Sequence, residues 1–272
     1  MQFSSRFLVP VLATLALGAS VHAATYAYAS DFNSYTLDTD VAGQDGWTIN
    51  DSTASASYVM WAGGSLQAVA TLGYVDPLQD GSTDVYLSHA TDVALVSSPG
   101  SRFEVTFWVF DSTNSGPARD TFGFRLEGSG GTNILSVALT PTSQTPTPQT
   151  DLAAHAVQWN TGAGAFSSIV GYAQEGVSTY HMVVDFSSDG LGGANFSASV
   201  NGATPFGGNL TGFAGTDAIK KIGAYWQPLD TVDPINPGSN ILMFDNISLV
   251  PEPASCSLLA LGLVGLLARR RR

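Results

Sequence analysis

The segment RFEVTFWVF, residues 102–110, alternates large apolar side chains with mostly polar ones. The apolar positions are Phe103, Val105, Phe107 and Val109, and the positions between them are Arg102, Glu104, Thr106 and Trp108. Successive side chains of a β-strand point to opposite faces, so a period of two is typical of a strand with one face in a core. The segment predicts such a strand.

Further β-rich segments follow, with Gly, Pro, Asn or Asp near them. They are STYHMVVDF (178–186), NFSASV (195–200), KKIGAYW (220–226) and ILMFDNISL (241–249). No helical period longer than two turns occurs between residues 24 and 250. About a dozen strands separated by turn residues predict an all-β domain, a β-sandwich or jelly roll. The Thr/Pro-rich stretch 140–151 is expected to be an exposed loop within this domain, the alternative being a linker between two domains.

Charge and cysteine content exclude several functions. Of the 22 acidic residues, 21 lie between residues 24 and 250, against five basic residues in the same span. This surface repels phosphate backbones, so nucleic acid is not an expected partner, whereas cations are attracted. The single cysteine, Cys256, lies outside this span. The central region therefore has no disulfide, thiolate nucleophile or cysteine-bound metal.

Residues 1–23 have the features of a secretory signal peptide. Arg6 precedes the apolar stretch 7–17, and Val21-His22-Ala23 offers small residues at the positions that signal peptidase requires. Cleavage there would leave a domain of residues 24–250.

Residues 251–272 form a second distinctive segment. Pro251, Glu252 and Pro253 are followed by an apolar run and then by Arg269, Arg270, Arg271 and Arg272. The apolar run, 255–268, is shorter than the ~20 residues that a stable membrane-spanning helix needs. Under the positive-inside rule the arginines would stay on the cytoplasmic side of the membrane.

Together these three features resemble the PEP-CTERM sorting signal of Gram-negative, exopolysaccharide-producing bacteria. The resemblance implies that the C-terminal helix anchors the exported protein transiently in the inner membrane. Exosortase, a membrane protease, would then cleave at or near Pro251, Glu252 and Pro253, and the arginine cluster would serve in membrane retention. The released protein would reach the cell surface or the extracellular matrix.

A looser resemblance concerns the central domain. The segments 30–47, with Gln-Asp-Gly-Trp at 44–47, and 244–249 are similar to the opening and closing segments of concanavalin A-like or laminin-G-like jelly rolls. In that architecture the first and last strands tend to be adjacent. The resemblance implies a structural calcium ion held by Asp31 and Asp245 with carbonyls and water. The alternative is that Asp245 forms local hydrogen bonds at a strand end.

Residues with catalytic potential are few. Glu104 has no carboxylate at i+2 or i+4 on its strand, and a glycosidase needs two carboxyl groups about 5 to 9.5 Å apart. His89, His155 and His181 match neither a serine hydrolase motif nor a zinc motif. We therefore expect no enzymatic activity.

The sequence predicts an exported, exosortase-processed protein with a structural or adhesive role linked to exopolysaccharide or biofilm. One alternative is a lectin-like module that binds glycan through Trp108 and Glu104, since aromatic rings provide stacking surfaces for sugars. A second alternative is a polysaccharide-degrading glycosidase.

Overall fold

The computed structural model describes residues 28–50, 57–61, 68–72, 85–96, 100–111, 121–141, 154–174, 179–201, 203–227 and 240–251. The chain divides into two compact units, of which Ala24–Ala254 contains all of these residues. The other unit, Met1–Ala23 with Ser255–Arg272, lies outside them, and so do the predicted signal peptide and sorting helix.

Fifteen strands and one 3₁₀ turn, Ser129–Gly131, are found in the described part of the chain. The strands are β1 (Tyr28–Ser30), β2 (Trp47–Ile49), β3 (Ser57–Trp61), β4 (Ala68–Leu72), β5 (Val85–Ala94), β6 (Ser101–Asp111), β7 (Thr121–Glu127), β8 (Asn133–Pro141), β9 (Ala154–Asn160), β10 (Gly171–Gln174), β11 (Tyr180–Ser188), β12 (Gly193–Val200), β13 (Phe206–Ala214), β14 (Ala218–Gln227) and β15 (Asn240–Pro251). The predicted all-β class is confirmed.

The strands form two antiparallel sheets that pack as a sandwich. The first sheet has the order β13-β12-β11-β6-β15-β4-β3, with β1 paired to β15 beside β4. The second has the order β10-β9-β8-β7-β14-β5-β2. Strands β8 and β9 pair directly, so residues 142–153 connect neighbouring strands of one sheet.

The core lies between the two sheets and is rich in aromatic rings. The predicted apolar face of β6 is buried, with Phe103, Val105, Phe107 and Val109 at most 1% exposed. Across the core the ring of Phe124 on β7 lies 5.4 Å from Phe107 and 6.4 Å from Phe103. Alternation on β6 therefore sets which side of the first sheet faces the second.

Strand β15 changes partner along one of its edges. Its residues Leu242–Phe244 pair with β4, whereas Ile247–Leu249 pair with β1. Between these two pairings, the register of β15 against β6 shifts by one residue, from Asp245 to Ser248, which is a β-bulge. The first strand is thus adjacent to the last, as predicted, and the bulge lies where the edge partner changes.

Close backbone contact across the second sheet requires glycine at position 223. A Cβ at Gly223 would lie 2.1 Å from the carbonyl oxygen of Leu87 and 2.8 Å from the Cα of Ser88. We expect Gly223→Ala to lower the free energy of unfolding by about 1–3 kcal/mol or more, measured by urea denaturation. A Cβ at Gly128 meets its nearest neighbour at 3.5 Å, so Gly128→Ala is the matched control and should change stability by less than about 0.5 kcal/mol. Equal effects of the two changes would contradict the packing described here.

Candidate functional site

A buried carboxylate lies at the bulge of β15. Asp245 is 1% exposed, and its Oδ2 accepts a hydrogen bond of 2.7 Å from Nδ2 of Asn246. Its other oxygen, Oδ1, is buried without a hydrogen-bond partner among the described residues. A buried charge without compensation is costly, so this oxygen marks a place where a positive group would be stabilised.

The second predicted calcium ligand, Asp31, lies close to Asp245. Asp31 follows β1 and is exposed, and its Oδ1 accepts the backbone N–H of Asn33 at 3.1 Å. Hydrogen bonds from Asn33 lower the pKa of Asp31, which keeps it ionised. Burial, and then the charge of Asp31, raise the pKa of Asp245 to about 6, although the backbone N–H of Asn246 acts in the opposite direction. The structure therefore places Asp31 near enough to Asp245 for its charge to raise the pKa of Asp245.

An open cavity of about 530 Å³ is lined by Asp31 and by Asn246, the residue that follows Asp245, and we call it the β1–β15 cavity. It is lined by Ala29, Ser30, Asp31, Ser34, Tyr35, Asp45, Glu104, Asn246, Ile247 and Ser248. Three of these side chains are carboxylates contributed by β6, by the end of β1 and by the segment before β2. Hydroxyl and amide groups supply most of the remaining polar lining.

A chain of hydrogen bonds holds Asp45 at the rim of the cavity. Nε1 of Trp47 donates to the hydroxyl of Tyr28 at 2.6 Å, and the hydroxyl groups of Tyr28 and Tyr35 are 3.3 Å apart. Tyr35 in turn donates to Oδ2 of Asp45 at 3.2 Å. Burial raises the pKa of both tyrosines, so both keep their protons. Nε2 of His89, whose ring stacks on Tyr28 with centroids 3.7 Å apart, donates to the carbonyl oxygen of Asp45 at 2.8 Å.

Backbone strain is concentrated around the cavity. Of the four described non-glycine residues with positive φ, Asp45 at 46° and Asn246 at 49° line the cavity, and Phe32 at 55° directly follows Asp31. A bulky residue such as Phe32 rarely adopts this conformation, which costs of order 1–3 kcal/mol. The Phe32 ring is fully buried against Phe244, with centroids 5.5 Å apart, and this packing offsets the strain.

The two residues predicted to bind glycan are separated. Glu104 lines the β1–β15 cavity and forms an ion pair with Arg102 at 3.5 Å. Arg102 also forms an ion pair with Asp185, in which its Nε lies 2.6 Å from Oδ1. Trp108 is absent from the described lining. It packs on an apolar cluster of Val69 and Met243 with Met60 and Ile241. Its Nε1 donates to Oγ1 of Thr179 at 2.8 Å.

Eight of the ten residues that line the cavity were not predicted as site residues from the sequence. Tyr35, Asp45 and Asn246 line the cavity, and Asp45 belongs to the Gln-Asp-Gly-Trp segment that carried the jelly-roll resemblance. That segment is the sequence signal that could have indicated Asp45. Of the predicted sorting residues, Pro251 ends β15 and pairs with Ser101. Glu252, Pro253 and Arg269–Arg272 lie outside the described residues.

Comparison with protein families identifies the C-terminal segment. Residues 249–272 match the PEP-CTERM protein-sorting motif. No curated protein matches the chain. In the described part of the chain, no helix has the length and apolar character required to span a membrane.

The fold is similar to several solved structures. A carbohydrate esterase from the Shiga toxin-encoding bacteriophage phi24B aligns with a TM-score of 0.53 and 13% identity, over 84% of this chain and 99% of that one. A mutant Emp46p carbohydrate recognition domain aligns with a TM-score of 0.50 and 13% identity, over 84% and 97%. The CBM2 module of the evolved Dit protein of Lactobacillus casei BL23 phage J-1 gives 0.48 and 13%, over 83% and 94%. At these identities the alignments with TM-scores of 0.53 and 0.50 show the jelly-roll-like fold alone.

The raised pKa of Asp245 predicts an unusual pH dependence. Because the folded-state pKa of about 6 lies above the unfolded value of 3.8, the folded chain binds more protons between these values. Without a bound cation, this contribution to stability is complete below pH 3.8 and is lost as the pH rises through 6. The loss amounts to about 3 kcal/mol.

The test is urea denaturation in chelator-treated buffer between pH 4 and 7. Asp245→Asn should lose this decline and be more stable than wild type at pH 7. Asp92→Asn removes a mostly exposed carboxylate that pairs with Lys220, and it should retain the wild-type decline. If the stability of Asp245→Asn fell with pH as steeply as that of the wild type, the burial of an unneutralised charge would be contradicted.

Proposed function

We propose that this protein is exported by a signal peptide at residues 1–23 and is held transiently in the inner membrane by residues 251–272. Signal peptidase and exosortase would then release the β-sandwich to the surface or matrix of a Gram-negative bacterium. There it would have a structural or adhesive role linked to exopolysaccharide or biofilm. The single observation that carries the proposal is the match of residues 249–272 to the protein-sorting motif.

The position of the motif relative to the fold supports this proposal. Strand β15 extends to Pro251, the first residue of Pro-Glu-Pro. Pro251 pairs with Ser101 of the neighbouring strand β6. The sandwich thus includes the chain up to the motif, and cleavage beyond Pro251 would leave every described strand intact. A domain of this kind needs no disulfide to stay folded outside the cell, because its core is large.

The charges around the cavity favour a role without catalysis. Glycoside hydrolysis needs a carboxylic acid that is protonated at the working pH beside a second carboxylate. The pKa of Asp31 is lowered, and Glu104 faces the guanidinium of Arg102. Asp245 has the raised pKa that an acid requires, but its carboxyl group is buried. These features support a binding or structural protein over the glycosidase alternative.

The sorting proposal predicts distinct fates for two variants in an exosortase-containing host. A chain lacking residues 251–272 should still be exported but should miss its final location, because nothing retains it for processing. Replacing Glu252 and Pro253 by alanine should leave the uncleaved chain in the inner membrane, with Pro251 kept because it pairs in the sheet. Cell fractionation and mass spectrometry of the C-terminus measure both outcomes. A truncated chain that reaches the wild-type location would overturn the proposal.

A structural cation, Ca²⁺, is the second proposal, and it rests on Asp31 and Asp245. An ionised Asp31 beside a buried carboxylate with an unpartnered oxygen is unfavourable unless a cation neutralises the pair. Calcium binds six to eight oxygen ligands, and every polar group that lines the cavity offers oxygen. The described residues contain no group of three His, Cys, Asp or Glu side chains with metal-binding geometry, so carbonyls, hydroxyls or water would complete the shell.

Thermal unfolding with calcium or with a chelator tests the cation directly. At free calcium a hundredfold above Kd, the bound ion should stabilise the wild-type protein by about 2.7 kcal/mol. Asp245→Asn should abolish this calcium-dependent shift, whereas the matched control Asp92→Asn should keep it. A wild-type midpoint that calcium does not move would rule the cation out.

A further inference from the structure

We propose that one end of the β-sandwich docks on the surface of the lipid bilayer while the chain is anchored, through apolar side chains on two connections between strands. The contact depends on the proposed function, because residues 251–272 would bring this end to the membrane. Leu191 and Phe166 are the side chains that would enter the bilayer surface.

Three neighbouring strands of the first sheet define this end. Pro251, the last residue of β15, pairs with Ser101 at the start of β6, and Ser101 pairs with Phe186 near the end of β11. The turn that connects β11 to β12 therefore projects from the same end of the sheet as the last residue of β15. We call this end, marked by Pro251, Ser101 and Phe186, the Pro251 end.

The turn between β11 and β12 holds an apolar side chain in solvent. Leu191 is 93% exposed there. Oδ1 of Asp189 accepts the backbone N–H of Leu191 at 2.7 Å and that of Gly193 at 2.8 Å. Gly190 and Gly192 have φ values of 80° and 98°, which favour glycine. The turn therefore presents Leu191 to solvent in a fixed conformation.

A second connection exposes apolar side chains at the same end. Between β9 and β10, Phe166 is 41% exposed and Ile169 is 48% exposed. The ring of Trp159, next to the last residue of β9, packs on Phe196 with centroids 4.9 Å apart. Phe196 pairs with Phe186, which marks the Pro251 end. The two sheets thus each contribute one apolar connection to this end.

Exposed apolar side chains are concentrated on these two connections. In the described part of the chain four large apolar side chains are exposed, and three of them are Phe166, Ile169 and Leu191. The fourth, Tyr172, is on β10. Single exposed apolar residues scattered over a surface are normal, whereas their collection on one face marks a contact with a protein or a membrane.

The short connection to the apolar run favours the bilayer as the occupant. Residues 252–254 are all that separates Pro251 from the apolar run 255–268. An extended chain spans at most about 3.6 Å per residue, so residue 255 is at most about 14 Å from Pro251. At about 3.3 Å per residue, the strand carries Asp189 about 10 Å beyond Phe186. A bilayer that holds the apolar run is therefore within reach of the turn.

The charge of the domain favours an apolar contact over a basic one. Residues 24–250 contain 21 acidic and five basic residues. Near the Pro251 end, Arg102 pairs with Asp185 and Lys220 pairs with Asp92. Anionic lipids attract clusters of free basic residues and would be repelled by an excess of carboxylates. The surface therefore suits a bilayer with zwitterionic headgroups.

The anchor makes a weak contact effective. A few apolar side chains bind a bilayer weakly, but a tether converts this contact into an intramolecular one at a high effective concentration. Exosortase would remove the tether when it cleaves at Pro-Glu-Pro. The sandwich would dock before cleavage and leave the membrane after it, so the contact would not oppose release.

A fluorescent label tests the contact in residues 24–272, the chain that signal peptidase would leave, reconstituted in phosphatidylcholine vesicles. Cys256→Ser removes the single native cysteine, and Leu191→Cys then carries an NBD label. We expect lipids with a nitroxide group to quench this label severalfold more than a label at Thr204→Cys. Thr204 is the matched control, because it is exposed on the connection that follows the opposite end of β12.

A second variant tests whether the two connections dock together. Leu191→Asp should lower the quenching of a label at Phe166→Cys severalfold, because a charge replaces an apolar side chain on the same surface. Leu191 is almost fully exposed, so this change should leave the melting temperature unaltered. Unchanged quenching at Phe166→Cys would contradict a shared contact surface.

Vesicle flotation separates this inference from the proposed function. A chain that does not float with the vesicles would overturn the anchoring by residues 251–272 and the docking with it. A chain that floats, but whose labels at Leu191→Cys and Thr204→Cys are quenched equally, would overturn the docking alone. A label at Leu191→Cys that is shielded from water but not quenched by nitroxide lipids would indicate a second copy of the chain instead, and would also overturn it.

Discussion

The functional interpretation depends on one constraint, the buried carboxylate of Asp245. It lies where the pairing partner of β15 changes from β4 to β1. The first strand pairs with the last at this point, and the buried carboxylate lies close enough to the ionised Asp31 to be affected by its charge. A fold that served only to bury apolar surface would gain stability from an apolar residue at this position. The retained carboxylate is therefore understandable if a cation stabilises it.

The surrounding structure is organised around the same point. The hydrogen bonds from Trp47 through Tyr28 and Tyr35 to Asp45 connect the aromatic core to the rim of the cavity. The positive φ values of Phe32 and Asn246 lie next to Asp31 and Asp245, and the strain at Phe32 is offset by its packing on Phe244. Strain and buried charge in one place are typical of binding sites, where stability is exchanged for a defined ligand geometry.

The fold could be predicted from the sequence, but only part of the site could. The alternation of apolar and polar residues in β6 identifies both the strand and its buried face. This could be predicted because the pattern lies within one short segment. Asp31 and Asp245 were placed through the resemblance to other jelly rolls, which fixes the pairing of terminal strands. Asp45 reaches the cavity through non-local hydrogen bonds. Trp108 is absent from the cavity lining and packs on Met243 of β15, which lies 135 residues further along the chain. Contacts of this kind have no local pattern in the sequence.

Carbon NMR of the Asp245 carboxyl group during a pH titration tests the central claim most directly. In the cation-free protein the resonance should titrate with a pKa of about 6, and with calcium bound the titration should move well below that value. Assignment by comparison with Asp245→Asn identifies the signal. A pKa near the ordinary value of 3.8 in the cation-free protein, unchanged by calcium, would contradict both the buried charge and the cation.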